Sequence, residues 1–143
     1  MPNKSTCLAL FLALLAGGFA TPAFASSAPA SGGSDSDTPY VDLAPSFVTN
    51  YDGGGRLRYL KVDVSVRARR PTDEAVRHHL PYIRNSLVSI FSSQLEENIT
   101  STEGKEALRI AALEEIRRIL NDLDGSGAEN VLELYFTSFV IQQ

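Results

Sequence analysis

The sequence predicts an α+β domain, with amphipathic helices lying on a small antiparallel sheet behind an export segment and a tether. Three observations carry that class. Leu60, Val62, Val64 and Val66 alternate with Lys61, Asp63, Ser65 and Arg67, the two-residue period of a strand with one buried face. Val76, Leu80, Ile83, Leu87, Ile90 and Leu95 recur at steps of three to five with Phe91 between them, which is the stripe of a helix lying on a core. Leu108, Ala112, Ile116, Ile119 and Leu123 mark a second such helix. In chain order the expected elements are β-β-α-α-β, a three-stranded sheet covered by two helices.

The chain opens on a targeting signature. Lys4 and the α-amino group precede an uncharged apolar run, Cys7–Ala20, and Ala23-Phe24-Ala25 then offers a small-x-small cleavage pattern. As a helix that run spans about 21 Å, short of a hydrocarbon core of roughly 30 Å. Residues 1–25 therefore read first as a signal peptide cleaved after Ala25, and second as an uncleaved membrane anchor. Cys7 is the one cysteine, so a cleaved chain would have no thiol or disulfide. Residues 26–39 are small, polar and rich in turn formers, the composition of a flexible linker. The folded domain is expected over 40–143.

Residues 40–51 read as a strand weakened by Pro45, hence an edge strand or a broken one. Asp52-Gly53-Gly54-Gly55 is a turn, which makes this strand and the alternating one a hairpin. Arg69-Arg70-Pro71 ends the hairpin, and Thr72 is the expected N-cap of the first helix. Pro81 stands inside the apolar stripe. It lacks the N–H that would bond the Arg77 carbonyl, so the helix is expected to bend or restart there, as a short first turn and a long rod. Thr100-Ser101-Thr102-Glu103 matches a capping box for the second helix, and Asp124-Gly125 stops it. Residues 129–141 form a last strand whose apolar groups occupy both parities, so both of its faces are expected to be covered.

No constellation carries chemistry. His78 and His79 are adjacent, so on a helix their rings point about 100° apart and cannot share a metal as an i, i+4 pair can. Glu96/Glu97 and Glu114/Glu115 are likewise neighbours that point apart, and there is no Gly-x-Ser-x-Gly elbow or phosphate loop. No cofactor is implied, and the reading is of a non-enzymatic binding or assembly protein. A formal charge of −4 argues against a nucleic-acid partner. The charge is segregated, though. Residues 56–84 hold Arg56, Arg58, Lys61, Arg67, Arg69, Arg70, Arg77 and Arg84 against three acids, and residues 96–133 are mainly acidic. A polarised domain of this kind could stack head to tail with copies of itself, which makes Arg67, Arg69, Arg70 and Arg84, opposite Glu114 and Glu115, the candidate partner-binding residues.

Five motifs in one order add a family. They are Tyr40-x-x-Leu43 with Pro45-x-Phe47-Val48-x-Asn50, Arg58-Tyr59-Leu60-x-Val62, Leu80-Pro81-x-Ile83-Arg84-Asn85, Thr102-Glu103-Gly104-Lys105-x-x-Leu108-Arg109, and Tyr135-Phe136-Thr137-x-Phe139-Val140-x-Gln142. In these the domain resembles the FliL family of flagellar basal-body proteins. The resemblance implies a periplasmic domain akin to the stomatin/prohibitin fold. It implies assembly as a homo-oligomeric ring around the flagellar stator, at the outer face of the inner membrane, supporting torque, swarming and control of rotation in chemotaxis. It supplies no catalytic residues. Typical members carry a full transmembrane helix, whereas this chain has the signal-like segment. The alternative reading is a periplasmic binding or scaffold module unrelated to motility.

Overall fold

The computed structural model describes residues 37–52, 54–125 and 127–142. The expected export segment and most of the linker lie outside the described residues. Of the linker, Asp37–Pro39 are described: the carbonyl of Asp37 accepts from the Arg70 N–H, and that of Pro39 from the Ala68 N–H. Among the described residues no helix is long and apolar enough to cross a membrane.

The class is α+β, with one more strand and two more helices among the described residues than the sequence suggests. The elements are β1 (Tyr40–Asp42), β2 (Phe47–Asp52), β3 (Leu57–Ala68), α1 (Thr72–His78), α2 (Leu80–Ser92), α3 (Glu96–Thr100), α4 (Thr102–Asp124), a 3-10 turn (Ala128–Asn130) and β4 (Val131–Gln142). All pairing is antiparallel and runs through β3. β4 lies along β3 from Tyr59 to Ala68. A strand has two edges, so β1, against residues 65–67, and β2, against residues 57–62, share the other. The expected first strand is thus one line broken in two. Leu43 still donates to the Val64 carbonyl at 2.9 Å, and the chain then leaves the ladder around Pro45, which has no N–H to give.

Leu60, Val62, Val64, Val66 and Ala68 are buried under the helices, as the alternation requires. β4 departs from expectation for a definite reason. Its ladder with β3 slips between Asp63 and Val64 and again between Arg67 and Ala68, so β4 carries an extra residue at each place. Each bulge switches the parity of the residues that face inward. Val131 and Leu134 are buried and Phe136, Phe139 and Ile141 half-buried, while Val140 stays 51% exposed. Apolar residues at both parities thus record two bulges and one covered face.

The helix stripe restarts at Pro81, as expected, but ends sooner than the rod predicted. Val76, Ile83, Leu87 and Phe91 are buried to the last square ångström, whereas Leu95 caps α3 and is exposed. Pro71, not Thr72, holds the N-cap position of α1, without a side-chain bond; Thr72 is the first helical residue and is buried. The cap of α4 also lies one residue later than the capping box implied. Ser101 Oγ accepts the Gly104 N–H at 3.0 Å, which leaves Thr100 in α3. Leu108, Ala112, Ile116 and Ile119 enter the core with Phe47, Leu60 and Leu134, while Leu123 is exposed in the last turn. Gly125 ends the helix with φ +70°, a conformation that a Cβ would disfavour.

Candidate interaction surfaces

A three-strand-wide sheet leaves rows of backbone carbonyls with no strand to bond, and unsatisfied carbonyls next to a core are costly. The helices answer with arginines. Arg77 of α1 donates to the Tyr40 carbonyl at 3.4 Å. Arg84 of α2 donates to the carbonyls of Leu43 and Pro45, with its guanidinium carbon 4.2 Å from the centroid of the Phe47 ring. Burial holds its pKa below the usual arginine value. On the opposite edge, Arg109 reaches the Leu134 carbonyl at 3.2 Å, and Arg117 takes those of Val131 at 2.8 Å and Leu132 at 3.3 Å. The planar five-donor fork of arginine suits such work better than an ammonium does.

All four capped stretches lie at one end of the sheet, where β1 and the start of β4 flank the C-terminal half of β3. At the hairpin end the arrangement differs. β2 and the second half of β4 have β3 as their one strand partner among the described residues, and no hydrogen bond among these residues reaches the outer edge of either. The solvent face there exposes Val48 at 63%, Tyr59 at 49% and Val140 at 51%. Val48, Lys61 and Val140 form one row across the three strands.

The sequence-derived candidates divide. Arg69 and Arg70, between β3 and α1, are exposed. Arg67 is half-buried on the solvent face of the sheet, opposite Tyr40 in register and interacting with the hydroxyls of Tyr40 and Tyr135. The carboxylate of Glu133 accepts from Tyr135 and raises the pKa of that phenol. Arg84 points into the protein, as described. Glu114 pairs with Arg117 at 2.8 Å, and Glu115 with Arg118 at 2.7 Å, all within α4. The hydrogen bond from Arg118 draws the Glu115 carboxyl below its ordinary range, and Arg109 does the same for Glu106. Glu114 and Glu115 are therefore paired with arginines of their own helix and not with the basic segment, from which Arg58 pairs with Glu96; Arg67 lies on the solvent face of the sheet while Glu114 and Glu115 lie on a helix.

Sequence reasoning missed the capping role of Arg77, Arg109 and Arg117. A signal existed: Glu106-x-x-Arg109 recurs as Glu114-x-x-Arg117, so each arginine is held by a carboxylate one turn back while it reaches the strand. It also treated the two histidines alike. His78 is exposed, but half-buried His79 joins α1 to α2 and places Nε2 3.1 Å from Asp124 Oδ1 at the end of α4. Among the described residues, no three metal-binding side chains converge.

Comparison with known proteins places this domain. Residues 40–142 match the family model described as flagellar basal body-associated protein FliL. The Flagellar protein FliL of Aquifex aeolicus (strain VF5) is 32% identical over 101 residues, which cover 70% of this chain and 59% of that protein. The chain thus spans less than two thirds of its relative's length. The matched region runs from the first residue of β1 to the last of β4, through every arginine that caps an edge. This chain belongs to the FliL family of flagellar basal body-associated proteins.

Proposed function

We propose that the 40–142 domain works in the periplasm, without catalysis, as part of a ring of copies around the flagellar stator, supporting torque, swarming and chemotactic control of rotation. Family membership gives the coarser statement, a flagellar accessory role. The observation that carries the finer one is the extent of the match, which takes in the whole described domain. The stomatin/prohibitin likeness and the membrane attachment belong to the same proposal. Among the candidate partner contacts, Arg69 and Arg70 have exposed side chains, and they are assigned here to the neighbouring motor proteins.

The test is capture of the tagged full-length chain from flagellated cells. Stator and basal-body proteins are expected with the wild type, and in reduced amount with Arg69→Glu/Arg70→Glu, whose loss should grow at low ionic strength, where exposed charges are least screened. A chain that reaches the periplasm, folds and brings down no motor protein would contradict the proposal.

A further inference from the structure

The two ends of the sheet are treated differently, and the difference has a direction. At the β1 end, arginines from α1, α2 and α4 take up edge carbonyls on both sides of the sheet. At the hairpin end, both edges are open over similar lengths. β2 offers Phe47–Asp52, and β4 offers residues 136–142, about 20 and 23 Å of strand. Exposed edges invite pairing and are ordinarily blunted by charge, proline or a covering element. Residues 136–142 hold no charged residue and no proline.

We infer that the open half of β4 in one copy of this chain pairs with β2 of the next, so that the sheets run on from subunit to subunit at their hairpin ends. The inference rests on the reading that the domain self-assembles, and names the surface by which it does so. A second copy fits because the two edges are complementary within one chain. β2 and β4 both run antiparallel to β3 and hence parallel to each other. Setting β2 of a neighbour beside β4 in that sense keeps both helix layers on the same side of the joined sheet. Each free N–H row then meets a row of carbonyls of opposite partial charge. The apolar row also continues, Val140 of one copy lying beside Val48 of the next and the two apolar groups covering each other. The contact is head to tail, one face meeting a different face, and so repeats rather than closing at two copies.

Cysteine pairing in the full-length chain tests this directly, with Cys7→Ala removing its one native thiol. Within a chain Val48 and Val140 are separated by β3, about 9.6 Å at two strand spacings, too far for a disulfide; across the proposed contact they lie about 5 Å apart, within its reach. Val48→Cys and Val140→Cys on one chain should give an oxidised ladder of dimers, trimers and larger species, and on separate co-expressed chains a mixed dimer. Val140→Lys in the Cys7→Ala chain, which sets a charge in the row, should abolish self-association on sizing, while its circular dichroism stays that of the wild type. A dimer from Val140→Cys alone, without a ladder, would overturn the proposal in favour of two-fold pairing of β4. Self-association on sizing without either cross-link would overturn the surface and leave self-assembly standing. A chain that stays monomeric at all concentrations would remove the self-assembly reading itself.

Discussion

At the scale of single residues, the most informative side chain is Arg84. It bridges α2 to the break between β1 and β2 through the carbonyls of Leu43 and Pro45, and lies over Phe47. Hydrogen bonds from a charged donor contribute about 1.5–3 kcal/mol, and removing the donor strands two carbonyls. Arg84→Ala should cost about 2–3 kcal/mol, measured by urea unfolding, whereas Arg69→Ala, at an exposed site, should change stability by less than about 0.5 kcal/mol. Glu115 supplies a pH signature. Its folded pKa is depressed by Arg118, so its contribution is present above the unfolded value near 4.5 and is lost as pH falls through the folded value. Glu115→Gln should therefore lower the thermal midpoint modestly at pH 7, flatten its decline below about pH 4.5, and converge with the wild type once Glu115 is protonated. The charge of these residues was legible in the sequence. Their direction was not, because composition cannot say whether an arginine faces a partner or a carbonyl of its own chain.

At the scale of elements, local grammar was read well where it was strong and misplaced by a residue or two where it was not. The alternation of β3, the glycine stop of α4 and the restart at Pro81 all stand. Pro81, however, lies in the first turn of α2, where its missing N–H would have had no helical partner. Pro81→Ala should thus keep the break at His79 and shift stability by less than about 1 kcal/mol, judged by helical circular dichroism and unfolding; a straightened single helix would appear instead as a rise in ellipticity. Gly104 is the opposite case. A Cβ there would lie 2.0 Å from the carbonyl oxygen of Asn98, so α3 and α4 meet only because the residue is glycine. Gly104→Ala should destabilise by about 1–3 kcal/mol through overpacking, and a thermal midpoint unchanged from wild type would refute the close approach. Neither this contact nor the two bulges of β4 could be read from periodicity. A bulge is settled by the partner strand, and a close approach by where two helices cross.

At the scale of the whole molecule, the class and the family were legible, because five separated motifs in order constrain a chain more than any one does. The interaction surface was not. Segregated charge suggested basic and acidic faces, but the fold pairs Glu106, Glu114 and Glu115 with arginines a turn away and sends the carbonyl-capping arginines toward the sheet. What distinguishes one end of the domain from the other is which backbone edges those arginines reach, a property of topology. A role for this domain in the flagellar motor is open to direct measurement. Bead rotation on single flagella, measured at high and low viscous load in cells lacking the chain and in cells given it back, tests that role most directly. Speed at high load is expected to fall without the chain and to recover with it, while speed at low load changes less. Equal torque at every load in the two strains, with no second copy of the gene present, would contradict it.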